Sequence, residues 1–164
     1  MQNDFKMLHE VLNRQKEVLQ KLCGLCLEEE QAIVQGDIFE LERLTKLEGE
    51  QVEILTALEA ERIPCAQKAA VAAGAQPEAT LAELCRRLGP DDSTELESLH
   101  NELKTASDQL VRQNEINQRL TQLQLRQINF MLESLTSVPP NTYTGRGTME
   151  EDGAAKRSVL DLSV

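Results

Sequence analysis

Hydrophobic positions recur at spacings of three and four along most of this chain, the period of an α-helix with one apolar stripe. Phe5, Leu8, Leu12, Leu19, Leu22, Cys26 and Ile33 keep a strict heptad, with Gln15 and Glu29 at the two remaining seam positions. They predict a first helix, capped by Asn3 or Asp4 and running to about Gln35. Gly36 suits the left-handed residue that ends a helix, and Asp37 with Glu40 suits the cap of the next. So short a connection predicts an antiparallel hairpin. The second helix is expected from Ile38 to about Arg62, with Ile38, Leu41, Leu44, Leu47, Ile54, Leu55 and Leu58 in its stripe and Pro64 closing it.

The next segment, CAQKAAVAAGAQPEA, is rich in Ala and carries too little bulk to hold itself in place. Thr80 to Leu88 then predicts a short helix with Leu81, Leu84, Cys85 and Leu88 on one side. Gly89-Pro90-Asp91-Asp92 reads as a turn, and Ser93 or Thr94 as the cap of a long helix reaching Leu135. No Gly or Pro interrupts that stretch, which would be roughly 65 Å long at ~1.5 Å per residue. It opens with a coiled-coil seam at Leu96, Leu99, Leu103, Ala106 and Leu110.

Beyond Leu110 the same face turns polar, at Asn114, Asn117, Thr121 and Gln124. These residues either form a layer that sets helix register or offer their amides to a partner, and spacing leaves both readings open. The apolar residues move to Ile116, Leu120, Leu123 and Phe130, while a second row, Leu125, Ile128, Leu132 and Leu135, returns to the original face. The two rows lie roughly 145° apart at ~100° per residue. One neighbouring helix cannot cover both, so this half either packs between two helices or presents a free apolar face.

The prediction is therefore an all-α fold. An elongated antiparallel helical hairpin plus one long C-terminal helix makes a three-helix coiled-coil bundle over 1–135, with a linker and a short extra helix at 64–90. Residues 136–164 form a flexible tail. Pro139-Pro140, Gly145, Gly147 and Gly153 leave it little to bury, and it ends in the more apolar Val159-Leu160-Asp161-Leu162-Ser163-Val164. That ending suits either a segment that folds upon binding or a terminus without a role.

Composition narrows the partners. Three Phe, one Tyr and no Trp argue against a thick globular core and for a narrow helix seam. A formal net charge of −11 repels a phosphate backbone and anionic membrane surfaces, so neither nucleic acid nor membrane is an expected partner. The same charge keeps a protein soluble while it carries an apolar client. No stretch approaches the ~20 apolar residues that span a bilayer, and MQNDFKMLHEV lacks the features of a signal peptide. A cytoplasmic protein with its four cysteines reduced is expected.

Chemistry is sparse. Cys23 and Cys26 form the one CxxC, but deep inside a predicted helix, without the helix N-terminus that lowers a thiol pKa. With Cys65 and Cys85 there are thiols enough for a zinc site, yet these two stand alone, and packing is the expected role of all four. His9 and His100 have no Ser, Cys or Asp arranged around them. No phosphate loop or metalloprotease motif is present, and the expectation is a binding protein with no catalytic residue, metal or cofactor.

The stretch NEINQRLTQLQLRQINFMLESL, followed after a Pro-containing break by NTYTGRG, resembles the C-terminal half of FlgN-type flagellar export chaperones. Asn114, Asn117, Leu120, Ile128 and Leu132 match the helix part, Tyr143 and Gly147 the tail, and VLDLSV is similar to the family's apolar ending. Thr144 stands where the family often has Gly, and the Ala-rich segment at 66–77 has no family counterpart. The resemblance implies a cytosolic chaperone that binds the C-terminal helical segment of hook-associated proteins, prevents their early assembly and passes them to the export gate and its ATPase components. It implies docking to the gate through Tyr143. On this reading Leu123, Ile128, Met131, Leu132 and Leu135 contact the client, with Leu160 and Leu162 of the tail as a second clamp, and the free chain is a monomer. The rival reading is a structural coiled-coil adaptor that uses the same row to form a homodimer. A third is a thiol or zinc protein.

Overall fold

A computed structural model of the chain describes residues 2–88 and 90–136. These residues form four α-helices and no strand: α1 (Gln2–Gln35), α2 (Ile38–Ala72), α3 (Leu81–Arg87) and α4 (Pro90–Thr136). The chain divides into two compact units, Met1–Gln127 and Ile128–Val164. The tail expected at 136–164 lies, apart from Thr136, outside the described residues.

In the first unit, α1 and α2 form the expected hairpin. Gly36 takes φ +69°, and the amides of Gly36 and Asp37 bond back to the carbonyls of Ile33 and Ala32 at 3.1 and 3.0 Å. These two bonds satisfy carbonyls that the end of a helix leaves open. Asp37 is at once the next N-cap, its carboxylate accepting from the Glu40 amide at 3.0 Å. The Glu40 carboxylate does not complete a capping box; it accepts from Arg43 at 2.9 and 2.6 Å. Arg14 pairs with Glu61 and Glu28 with Arg43, so α2 descends as α1 climbs. Both pairs are exposed and weak; the apolar seam does the holding.

Three boundaries differ from expectation. α1 begins at Gln2, which puts Asp4 in its first turn rather than at the cap. α4 begins at Pro90, not at Ser93 or Thr94. A proline suits a first helical turn, because the amide it lacks would have no helical partner there. The largest departure is in α2, which runs through Pro64 and ends near Gly74 (φ +70°). Ala has the highest helix propensity, and Ala69 and Ala70 are fully buried. Their small side chains fit the core, so the Ala-rich segment is held by packing that its bulk does not advertise.

That core draws on all four helices: Leu8 and Leu12 of α1, Ala69 and Ala70 of α2, Leu84 and Cys85 of α3, and Leu96 and Leu99 of α4. α3 is the predicted short helix, fixed by a capping box in which Thr80 and Glu83 exchange bonds. Arg87 ties it back to the Gly74 carbonyl at 2.6 Å. A second cluster joins Val18, Leu22 and Leu58, with Leu55 and Leu110 packed against it. In the predicted α2 stripe Leu44 and Leu58 are buried, whereas Ile38 and Ile54 are exposed.

Candidate functional site

α4 runs parallel to α1 over the first unit. Lys16 bonds Glu102, Cys23 the Ala106 carbonyl, Asn117 the Cys26 carbonyl and Gln124 the Ile33 carbonyl, so both sequences advance together. The seam Leu96, Leu99 and Ala106 is buried as expected. Where that face turns polar, it meets Glu29, Glu30 and backbone carbonyls of α1. Asn117, 4% exposed, donates to the Cys26 carbonyl at 2.7 Å and to the Glu29 carboxylate at 2.6 Å. Gln113 donates to Glu30 and to the Asn117 side-chain oxygen. Gln124 donates to the Ile33 carbonyl at 2.8 Å. The Asn114 oxygen accepts from the Cys26 thiol at 3.1 Å. Asn117 thus has its amide committed inside the bundle, whereas Asn114 and Thr121 are exposed.

Gln113 carries no sequence signal of its own, and no spacing brings Glu48 to Cys26. Glu29 on the α1 seam was the available signal, since a carboxylate on a seam needs a donor from the facing helix. Burial, then the nearby Glu48 and Glu29 carboxylates, push the Cys26 thiol up to about 12. Burial followed by Glu29 raises Glu48. Burial also raises Cys23 and Cys85. These thiols stay protonated at neutral pH and make poor nucleophiles. All four cysteines are free; Cys26 and Cys85 are buried, Cys23 and Cys65 half-buried.

The remaining predicted contacts fall in two places. In the first unit Leu120 is half-buried and Leu123 exposed. In the second unit Ile128, Met131, Leu132 and Leu135 share one face of α4 by their spacing, and each is between 50% and 75% exposed. Phe130, on another face of the same turns, is 70% exposed. The later part of the second apolar row is thus exposed on α4. Tyr143, Gly147, Leu160 and Leu162 lie outside the described residues. Among the described residues no helix is long and apolar enough to cross a membrane.

A family model described as "FlgN protein" matches residues 1–151. No curated protein and no solved structure matches the chain.

Proposed function

The chain belongs to the FlgN family of flagellar export chaperones, and from that premise we propose that the row Ile128, Met131, Leu132 and Leu135 is its client seat. The client is the C-terminal helix of a hook-associated protein. Such a helix carries an apolar face that drives assembly, and laying that face along the α4 row removes it from self-association. The observation that supports this reading is the exposure of the row: four large apolar side chains on one helix face, none of them less than half exposed. Single exposed apolar residues are ordinary, whereas a contiguous set asks for a partner.

The chaperone acts in the cytoplasm, holds its client there in an unassembled form and hands it to the export gate, with Tyr143 as the docking residue on its own side. Replacing Leu132 and Leu135 by Ser tests the seat. Each large apolar side chain contributes about 1.5–3 kcal/mol when buried, so the pair should cost ~100-fold or more in client affinity by calorimetry. Equal binding by the double variant removes the proposal. Tyr143→Ala should leave the client complex intact and slow secretion. In light scattering the isolated chain should be a monomer; a tight, salt-insensitive dimer would favour the coiled-coil adaptor instead.

A further inference from the structure

Within the first unit, Cys26 and Glu29 of α1 and Glu48 of α2 bring one sulfur and two carboxylate oxygens within 4.8 Å of one another. Asn114 of α4 adds its amide oxygen, 3.1 Å from the sulfur. The cluster is short of hydrogen. The Cys26 thiol has one proton, but both the Glu48 and the Asn114 oxygens stand at bonding distance from its sulfur, at 3.5 and 3.1 Å. It can satisfy only one of them. Asn117 supplies a donor to Glu29. Cys26 is 2% exposed, so water cannot freely make up the deficit at the sulfur. A groove lined by Glu29, Glu48, Asn114 and Asn117 opens the carboxylate side to solvent.

We propose that Cys26, Glu29 and Glu48, with the Asn114 oxygen, bind a divalent transition-metal ion of the zinc class. A thiolate beside two carboxylates suits a borderline-soft ion, whereas magnesium or calcium would call for oxygen ligands alone. Tetrahedral zinc bonds of ~2.0–2.3 Å place ligand atoms roughly 3.3–3.8 Å apart, within reach of rotamer changes on the existing helices. Binding forms the sulfur–metal bond as the S–H bond breaks, and the thiol proton leaves to solvent. Glu48 releases its proton in the same way where it carries one. The ion then adds positive charge beside the Glu29 and Glu48 carboxylates. It also ties α1, α2 and α4 together at the level where Asn117 joins two of them.

The test uses the full chain, reduced and stripped of metal. Cobalt(II) titration should give a thiolate-to-cobalt charge-transfer band, and zinc should raise the melting temperature reversibly with chelator. Cys26→Ser should abolish the band, Glu48→Gln should weaken zinc binding roughly tenfold or more, and Cys85→Ser should change neither. Circular dichroism checks that each variant keeps its helix content. Absence of the band in the native chain, or its survival in Cys26→Ser, overturns the proposal. So does unchanged zinc affinity in Glu48→Gln, which remains decisive if Cys26→Ser fails to fold.

Discussion

Asn117 of α4 donates its side-chain amide to the backbone carbonyl of Cys26 on α1, 2.7 Å away, and to Glu29 one turn further along. This contact sets how far α4 has advanced against α1. Sliding α4 by one turn would break this bonding pattern, at a cost comparable to a lost buried hydrogen bond.

Asn117→Ala removes the donor and leaves the Glu29 carboxylate short of a partner. We expect a loss of about 1–3 kcal/mol in unfolding free energy, read from the urea midpoint. A change below ~0.5 kcal/mol would mean the polar layer does not hold α4.

Leu132 and Leu135 are exposed, so replacing both with Ser should leave stability within about 0.5 kcal/mol and helix content unaltered. Leu84, fully buried among α1, α2 and α4, should cost ~2–5 kcal/mol when cut to Ala. Urea unfolding monitored by circular dichroism separates the two. A large loss in the Leu132/Leu135 variant would show that these side chains are covered in solution.

Gly49 lies inside α2, and a Cβ added there would meet nothing within 4 Å. Gly49→Ala should stabilise by ~0.5–1 kcal/mol through helix propensity alone. Gly36→Ala should act in the opposite sense, losing about 1–2 kcal/mol, because φ +69° is strained for any residue with a Cβ. Thermal melts of the two variants should move in opposite directions.

Pro64 sits within α2, where its ring crowds the preceding turn and its nitrogen gives no helical hydrogen bond. Pro64→Ala should raise stability by roughly 1–3 kcal/mol, less the freedom regained by the unfolded chain. A melting temperature that stays the same or falls would mean the helix already relieves the ring elsewhere.

The Arg62 guanidinium beside Glu59, with a further bond from Gln15, holds the Glu59 carboxyl below the usual range. The folded form therefore gives up this proton more readily than the unfolded chain. Its contribution is complete above the ordinary Glu range and fades as pH falls through the lowered folded value. Urea midpoints taken from neutral to acidic pH should fall less steeply in Glu59→Gln. The difference should be small, because the Glu59 side chain is half exposed.

Local signals carried most of the architecture. The heptad from Phe5 to Ile33, the Gly36-Asp37 junction and the Thr80–Leu88 segment each specify a helix, or a helix end, from residues adjacent in the chain. Those elements appear where their spacing predicts them, because helix formation and capping are decided within a turn or two. The family resemblance was legible for the same reason: Asn114, Asn117 and Leu120 repeat at helical spacing on one continuous element.

Tertiary structure decided what depends on facing partners. Local rules end α2 at Pro64, but burial of Ala69 and Ala70 against three other helices outweighs the proline. Spacing left Asn117 between a register layer and a partner contact; its bonds to Cys26 and Glu29 depend on the height at which α1 faces α4. Cys26, Glu29, Glu48 and Asn114 come from three helices, a grouping that no one-dimensional motif encodes. A helix pattern records which side of each element is apolar; which neighbour meets that side, at what height, follows only from how the whole unit packs.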